Sequence, residues 1–288
     1  MKIKEILPSD INFPKFLTKI KPPVKKLYYL GNWDEKIFQK SLAIVGSRRI
    51  TGYGRQVIDK IVPDLVSQGI TIISGFMYGV DSEAHKKCLE FGGKTIAVLG
   101  GGLGEIYPPE NEKLIPEIIK NGGLVVSEYE ADFKPRLWSF PQRNRIISGL
   151  SSLGVLIVEA GEKSGSLITA KLGLKQKKPL FAVPGPTTSS VSIGTNTLIK
   201  EGKAKMVLSA NDIYEEIITD RKRINSVSAD TTELKIIQAL SAESLTVDEI
   251  IRNLNLDIVK ASSILIGMTL KGLISESGGK YYLTRLSN

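Results

Sequence analysis

The sequence predicts an α/β protein in which a Rossmann-like, doubly wound and mostly parallel sheet follows a short basic N-terminal arm and precedes a C-terminal winged-helix domain. Three observations carry this prediction. From residue 41, short runs rich in β-branched residues alternate with helical segments. The runs are continuously apolar rather than alternating, which is typical of strands buried on both faces. Residues 231–288 then change to the pattern of three helices and a hairpin.

Six apolar runs are predicted as the strands of the sheet: Leu42–Val45, Ile70–Ile73, Thr95–Leu99, Leu124–Val126, Gly154–Val158 and Leu180–Val183. Four segments between them suit crossover helices: Tyr53–Gln68, Ser82–Phe91, Glu110–Asn121 and Ser166–Gln176. Because strand and helix alternate, neighbouring strands are expected to be parallel, with helices on both faces of the sheet. We assign residues 41–220 to this Rossmann-like domain.

The segments that flank the predicted sheet differ from it in composition. Residues 1–40 are rich in Lys and Pro and predict an arm that packs on the core, with one possible strand at Lys26–Leu30. Residues 221–230 are mostly polar and have no clear period, which is typical of a linker.

The C-terminal segment, residues 231–288, has the element order of a winged helix-turn-helix. Its helices are predicted at about 231–241, 246–254 and 257–271. Gly278 and Gly279 then provide the turn of a hairpin that spans Leu273–Leu283.

The charge of the chain is unevenly distributed. The 288 residues carry a net charge of +9. Residues 1–40 contain nine Lys and Arg against four Asp and Glu, whereas residues 229–288 contain six against seven. A basic surface favours a polyanionic partner such as nucleic acid. On charge alone, a basic surface without such a partner is equally compatible.

Cysteine content and the length of apolar runs indicate the compartment. Cys88 is the sole cysteine, so no intrachain disulfide can form. No apolar run reaches the roughly 18 residues that span a bilayer, and the residues after Met1 lack the apolar region of a signal peptide. We therefore expect a cytoplasmic protein that does not associate with membranes.

The residues after the first strand form the first candidate site, because ligands of open α/β sheets bind beyond the carboxyl ends of the strands. Gly46, Ser47, Arg48 and Arg49 stand between this strand and a predicted helix. Backbone N–H groups at a helix N-terminus attract anions, a serine hydroxyl can donate, and arginine binds phosphate. The loop predicts a phosphate site, and a tight turn with surface arginines is the structural alternative.

The ends of the second and third strands also carry small residues. Ser74 and Gly75 follow the second strand, and we assign them to the same site. Residues 100–104 include four glycines, which would allow the backbone to approach a ligand closely. His85, the sole histidine, lies in the helix after the second strand and is predicted to be structural.

An aromatic residue stands next to two arginines and an asparagine in the segment that contains Phe140, Arg143, Asn144 and Arg145. Phe140 could stack on a nucleic-acid base, and the arginines could contact phosphates. The structural alternative places Phe140 in the core and pairs one arginine with Glu128 or Glu159. We expect at least one of the two arginines to be structural.

A further loop contains Ser164, Gly165 and Ser166 at the start of a predicted helix, with Thr169 one turn later. Small hydroxyl residues and glycine at a helix start form a typical anion nest. Ordinary helix capping is the alternative for this loop taken alone. Several such loops at one sheet edge together favour the binding of a phosphate chain.

The residues that enzymes commonly use for catalysis are sparse in this chain. With one histidine and one cysteine, a Cys/His metal site is not expected. A Ser-His-Asp triad would have to use His85, which has no nucleophile elbow nearby. We therefore predict no catalytic residues, no metal and no cofactor.

These loops occur in the order and spacing of a known family. The matching stretches are Ala43–Arg48, Ser74–Gly75, Gly79–Asp81, Ala84–His85, Thr95–Gly100, Ile106–Pro108, Asn111, Ser127–Glu128, Phe140–Ser151, Val158–Ala160, Ser164–Ala170 and Phe181–Gly185. Together they resemble the DNA-processing protein A family (DprA, also called Smf). The resemblance covers roughly residues 13–218 and extends to the winged helix that many members carry.

The resemblance implies a recombination mediator that is not an enzyme. Family members bind incoming single-stranded DNA during natural transformation, protect it and help load the RecA recombinase, usually as homodimers. Carried over, the residues near Ser47–Arg48, Ser74–Gly75, Phe140–Arg145 and Ser164–Thr169 would line the DNA groove. The family often has a small residue and then Arg at Met77 and Tyr78, and Asp at Gly104, so no DNA contact is assigned to Tyr78 or Gly104.

Two other functions stay open at this point. Related Rossmann-like enzymes cleave nucleoside monophosphates, but the comparable loop here, Glu159–Ser166, lacks the glutamate expected after Gly-Thr. A regulator could bind duplex DNA through the winged helix. The slightly acidic charge of that domain disfavours phosphate contacts and favours a role in protein contacts or in regulating the groove.

Overall fold

The computed structural model describes residues 2–214, 232–233, 235–240, 243–270 and 273–283. Its chain divides into two compact units, Met1–Tyr214 and Glu215–Asn288. The segment predicted as a linker, residues 221–230, lies outside the described residues. None of the helices in the described ranges combines the length and apolarity that crossing a bilayer requires.

The first unit is built on a nine-stranded sheet within the described residues. Its strands are β1 (Lys4–Ile6), β2 (Leu27–Gly31), β3 (Ser41–Val45), β4 (Thr71–Ser74), β5 (Thr95–Val98), β6 (Leu124–Ser127), β7 (Gly154–Ile157), β8 (Leu180–Ala182) and β9 (Lys205–Met206). They lie in the order β1-β2-β6-β5-β4-β3-β7-β8-β9. Strand β2 pairs with β1 and with β6 in antiparallel fashion. The other neighbours in this order, from β6 through β5, β4, β3, β7 and β8 to β9, all pair in parallel. The predicted doubly wound, mostly parallel sheet is confirmed.

The α-helices that accompany this sheet are α1 (Gly52–Ser67), α2 (Val80–Glu90), α3 (Leu114–Lys120), α4 (Ser139–Leu150), α5 (Ser166–Lys175) and α6 (Ile193–Lys200), and residues 210–214 are also helical. Short 3-10 helices span Lys15–Thr18, Glu35–Phe38 and Pro109–Asn111. Every residue of β3 to β7 is buried, which explains why their sequences are continuously apolar.

Helix α4 contains Phe140, Arg143 and Asn144, which the sequence had suggested only as part of a polar segment. Pro141 and Gly149 hide the helical pattern in the sequence. In the structure Pro141 is the third residue of the helix, where its missing N–H costs no intrahelical hydrogen bond. The helix therefore forms around a residue that usually indicates a break.

The N-terminal arm is part of the core. It supplies β1 and β2, which extend the sheet beyond β6, and β2 lies one residue further along than the single strand predicted at Lys26–Leu30. Leu17 and Leu27 are fully buried in the same apolar cluster as Ile146 and Leu150 of α4. Burying these side chains fastens the arm to the helix that carries Phe140.

The chain reverses its direction across the sheet at β3. From β3 it proceeds through β4, β5 and β6 on one side, and it then returns to place β7 on the other side of β3. The register pairs Leu42 with Ile72 of β4 and with Gly154 of β7. Such a switch point leaves a crevice at the carboxyl ends of the strands. The loops after β3 and β7 face each other across it.

The second unit has the elements of a winged helix. Within its described residues, 235–240 are helical, α7 spans Val247–Leu254, and α8 spans Ile258–Leu270. The strands β10 (Leu245–Thr246), β11 (Ile274–Ser277) and β12 (Lys280–Leu283) form a sheet in the order β10-β12-β11. Thr246 and Glu249 form a reciprocal capping box at the start of α7. The predicted winged helix is confirmed.

Candidate functional site

A pocket of about 630 Å³ opens at the switch point between β3 and β7. The loop after β3, the first turns of α4 and the start of α5 form its walls. All predicted site residues except Ser74, Gly75 and Arg145 line it, namely Gly46, Ser47, Arg48, Arg49, Phe140, Arg143, Asn144, Ser164, Gly165, Ser166 and Thr169. The fold thus brings together three segments that are far apart in the sequence.

The loop after β3 supplies two exposed arginines. The backbone N–H of Arg49 donates to Ser47 Oγ at 3.1 Å, and this hydroxyl donates to the Arg49 carbonyl at 3.0 Å. Ser47 therefore uses its hydroxyl to hold the turn. The guanidinium carbon of Arg48 lies 5.4 Å from the centre of the Phe140 ring, a cation–π distance. This turn presents both guanidinium groups at the mouth of the pocket.

The N-terminus of α1 is occupied by a carboxylate of the protein itself. Glu159, which follows β7, is 2% exposed. Its Oε2 accepts a hydrogen bond from the Thr51 backbone at 3.0 Å, and its Oε1 accepts from the Thr51 hydroxyl. Thr51 Oγ1 in turn accepts from the Gly54 N–H at 3.2 Å. The anion position that the sequence suggested at this helix is therefore filled internally.

The N-terminus of α5 borders the pocket, and its first three backbone N–H groups bond within the chain. Ser166 donates to Ser164 Oγ at 3.4 Å, and the N–H groups of the next two residues donate to the Ser164 and Gly165 carbonyls at 3.1 Å each. The N-cap residue of α5, Gly165, has a φ of −61° and offers no side chain to cap the helix. A Cβ added to Gly165 would meet no heavy atom within 4 Å. Ser164 Oγ and Ser166 Oγ lie 2.8 Å apart beside it, and Lys163 adds a cation that the sequence had not singled out. This end of the pocket therefore has the hydroxyl groups and the cation that an anion-binding site uses.

Arg143 lies at the floor of the pocket and is 3% exposed. Its Nη1 donates to the Gly75 carbonyl at 2.6 Å and to the Val98 carbonyl, so it joins the ends of β4 and β5. Burial lowers the pKa of Arg143 to about 10, and the nearby Asp81 opposes this shift. Burial likewise raises the pKa of Asp81, against the charge of Arg143. The main role of Arg143 in the structure is therefore to hold the ends of two strands together beneath the pocket.

Three predicted site residues use their polar groups inside the protein. Ser74 Oγ donates to the Ile44 carbonyl at 2.6 Å, and the residue is fully buried. A Cβ on Gly75 would lie 2.5 Å from Asp81 Oδ2, which explains the glycine by internal packing. Arg145 Nη2 lies 2.5 Å from Glu128 Oε1, the ion pair that was the alternative to a phosphate contact. We leave these three residues out of the proposed contact set.

The glycine-rich segment 100–104 approaches the protein's own chain. A Cβ on Gly100 would lie 2.6 Å from Cδ1 of Phe140, and one on Gly104 would lie 2.8 Å from the Ala131 carbonyl oxygen. The glycines therefore make room for Phe140 and for the loop near residue 131. They serve the site indirectly, because they set the position of the aromatic ring.

His85 and Cys88 do not line the pocket. His85 is buried with Nδ1 2.7 Å from Thr95 Oγ1, and burial lowers its pKa to about 3, which makes it neutral near pH 7. Burial raises the pKa of the Cys88 thiol to about 12. No group of three or more His, Cys, Asp and Glu side chains that could hold a metal occurs among the described residues.

Comparison with known proteins identifies the family. The family model described as DNA recombination-mediator protein A matches residues 4–218, and that described as DprA winged helix domain matches residues 225–280. The DNA processing protein DprA of Bacillus subtilis is 40% identical over 209 residues, which cover 73% of this chain and 69% of the relative. Protein Smf of Synechocystis is 34% identical over 320 residues, covering 97% and 80%.

Solved structures agree with the sequence matches. DprA from Streptococcus pneumoniae superposes with a TM-score of 0.69 at 37% identity, covering 75% of each chain. DprA from Helicobacter pylori gives a TM-score of 0.67 at 36% identity, covering 76% of this chain and 97% of the other. The latter structure was reported for the single-stranded DNA binding mode of the H. pylori protein. The chain described here therefore belongs to the DprA/Smf family of DNA recombination-mediator proteins.

Proposed function

We propose that this protein binds single-stranded DNA in the pocket between β3 and β7 and acts as a recombination mediator. The observation that carries the proposal is that the serine residues at the start of α5 and the exposed Lys163 line one pocket with Arg48 and Phe140. The pocket offers serine hydroxyls and a lysine for one phosphate, arginine guanidinium groups for the neighbouring phosphates, and an aromatic ring for a base.

The proposed contacts are to the phosphate backbone of the DNA and to the flat faces of its bases. Arg48, Arg49 and Lys163 are exposed cations, and Ser164, Ser166 and Thr169 are short hydroxyl donors. Such groups recognise phosphates, and an aromatic ring stacks on any base. Binding should therefore be largely independent of sequence and should weaken as salt rises.

The finer role follows from the family and is proposed for this chain. We infer that the protein protects incoming single strands during natural transformation, helps load RecA onto them, works as a homodimer and acts in the cytoplasm. We propose no catalytic step, because His85 and Cys88 lie away from the pocket and are held in uncharged forms near pH 7. Faster RecA filament growth on an oligonucleotide bound by this protein would support the loading role.

The winged-helix unit is proposed to contact protein rather than phosphate. Helix α8, the second of its helix-turn-helix pair, exposes Val259, Ile266 and Leu270 at 74, 60 and 84%. An apolar exposed face suits a protein surface better than a DNA groove, which needs cations. Tight binding of a specific duplex by this unit would contradict the proposal.

The test of single-strand binding is fluorescence anisotropy of labelled oligo-dT against a duplex of equal length, across a salt series. Wild type should prefer the single strand, with an affinity that falls steeply with salt. Arg48→Ala and Phe140→Ala should each weaken single-strand binding by about tenfold, the size expected for a phosphate contact or a stacked base.

Two matched variants control this test. Arg55→Ala removes an exposed arginine of α1, and Phe91→Ala removes a 52% exposed ring after α2, and neither residue lines the pocket. Both should bind as wild type does. If Arg48→Ala and Phe140→Ala also retain wild-type affinity, the pocket is not the DNA site. Release of free base from nucleotides would instead favour the enzyme alternative.

A further inference from the structure

We propose that Tyr78, Tyr107 and Phe140 form an aromatic ladder on which a single strand continues beyond the pocket. The inference rests on the proposed single-strand binding and adds a second base-stacking region to it. The rings of Phe140 and Tyr107 have centroids 5.8 Å apart, and those of Tyr107 and Tyr78 are 6.2 Å apart. Phe140 lines the pocket, so the ladder begins at its wall.

The two tyrosines come from different loops that buried contacts hold together. Tyr78 follows Met77, which lines the pocket, in the loop between β4 and α2. Tyr107 lies in the loop after β5. Asn111, which is 4% exposed, donates from Nδ2 to the Phe76 carbonyl at 2.9 Å and so ties the second loop to the first. The spacing of the two rings is therefore set by the core of the fold.

The loop that carries Tyr78 is also fixed to the β3 side of the pocket. Gly79 adopts a φ of +74°, which suits glycine, and the N–H of Val80 donates to the Ser47 carbonyl at 3.1 Å. The Tyr78 hydroxyl donates to Glu110 Oε2 at 2.9 Å. These contacts restrict the side chain before any ligand arrives, which reduces the entropy that binding must overcome.

The rings of the ladder are open to solvent. Tyr78 is 37% exposed and Tyr107 is 42% exposed. Their planes meet at 81°, an edge-to-face contact in which the edge of one ring covers one face of the other, whereas parallel stacking covers a face of both rings. Tyr129 and Phe133 offer a contrast, because they stack at 4.3 Å with an interplanar angle of 14° and cover each other. The ladder rings are arranged to accept a further planar group.

The charge around the ladder selects bases rather than phosphates. Glu110 is exposed beside Tyr78, and a carboxylate repels a phosphate that approaches it. The exposed cations Arg48 and Arg49 stand at the pocket. A strand would therefore place its phosphates at the pocket and direct the bases of its next nucleotides onto Tyr107 and Tyr78, with the remaining phosphates in solvent.

The test compares two oligo-dT lengths, one of about four nucleotides that fills the pocket and one of about twelve that also reaches the ladder. Tyr78→Leu and Tyr107→Leu keep an apolar side chain but remove the ring. Each should lower affinity for the long oligonucleotide by about fivefold or more, which corresponds to the loss of one stacked base. Affinity for the short one should not change.

Tyr53→Leu is the matched control, because Tyr53 is 39% exposed, donates its hydroxyl to the Pro184 carbonyl at 2.6 Å and does not line the pocket. Tyr78→Phe keeps the ring without the bond to Glu110, so it should bind nearly as wild type does. Circular dichroism confirms that each variant is folded.

Three results would overturn the ladder. One is wild-type affinity of both leucine variants for the long oligonucleotide. The second is an equal loss on the short oligonucleotide, which would mean that the tyrosines only shape the pocket. The third is a wild-type affinity that does not rise with length. If the wild-type protein binds neither oligonucleotide, the proposed function itself fails, which is a different outcome from a ladder that fails while the short oligonucleotide still binds.

Discussion

The two helix N-termini that meet at the switch point differ in what their polar groups contact. At α1, Thr51 donates to the buried carboxylate of Glu159, so that end is neutralised within the protein. At α5, the Ser166 N–H donates to the uncharged Ser164 Oγ at 3.4 Å, and the N-cap residue Gly165 borders open space. Both loops contain glycine and serine, yet of the two only the α1 loop binds a carboxylate of the protein itself. A loop whose sequence suggests an anion site is therefore only a candidate binding site until the structure shows whether a side chain of the protein already occupies it.

The largest expected effect is on stability and comes from removing the carboxylate at the start of α1. Glu159→Ala should lower the free energy of unfolding by about 3 kcal/mol, because it leaves the half-buried Thr51 N–H and hydroxyl without their charged acceptor. Urea unfolding followed by circular dichroism measures this. Glu159→Gln, which keeps an acceptor oxygen, should lose less. Equal stability of the alanine variant and wild type would show that Glu159 does not stabilise the N-cap residue Thr51.

The next largest effect on stability comes from adding a methyl group to one glycine in each of the two loops, Gly46 before α1 and Gly165 before α5. A Cβ on Gly46 would lie 2.6 Å from Val80 Cγ2, so Gly46→Ala should destabilise the fold by about 2 kcal/mol. Gly165→Ala meets no protein atom and should leave stability unchanged or slightly raised. The same variant should weaken oligo-dT binding by about tenfold, because the methyl occupies the space in which a phosphate approaches the backbone.

Gly267→Ala in α8 is the control for that pair, because a Cβ there also meets no heavy atom within 4 Å. It should raise stability slightly, by about 0.5–1 kcal/mol as for glycine-to-alanine within a helix, and should leave oligo-dT affinity unchanged. Wild-type binding by Gly165→Ala would place the phosphate elsewhere and would remove the difference drawn between α1 and α5.

The smallest expected effect tests the charge of the α5 side. Lys163→Ala should weaken oligo-dT binding by only a few-fold and should reduce the slope of log affinity against log salt by about 0.7, as expected when one contact to a single strand is lost. Anisotropy across a salt series gives the slope. Lys175→Ala, at the other end of α5, serves as the control. Identical slopes for wild type and Lys163→Ala would exclude Lys163 as a phosphate contact.

Much of the fold could be predicted from local patterns. The runs at residues 42–45 and 154–158 are apolar throughout because both faces of β3 and β7 are covered, so their sequences indicate a parallel sheet directly. Helix α4 was missed because Pro141 and Gly149 interrupt its pattern, although a proline in the first turn is compatible with a helix. Strand β1 was missed because three residues carry too little pattern.

The sequence predicted which segments form the candidate site, but it did not predict what each side chain in those segments contacts. Glycines 100 and 104 suggested a ligand approach, and the structure uses them to accommodate Phe140 and the loop near residue 131. Arg143 and Arg145 look alike in the sequence. One joins the ends of β4 and β5 beneath the pocket, and the other pairs with Glu128. A side chain's partners depend on residues far along the chain, which local patterns do not reveal.

The sequence by itself determined the architecture, the family and the edge of the sheet at which we propose that a ligand binds, because strand ends and motif order are local properties of the chain. Only the tertiary structure decided which polar groups are free. Thr51 and Glu159 are 108 positions apart, and their hydrogen bonds place a carboxylate at the start of α1, whereas the start of α5 has serine hydroxyls. The juxtaposition of Tyr78, Tyr107 and Phe140 likewise exists only once β4, β5 and α4 are packed together.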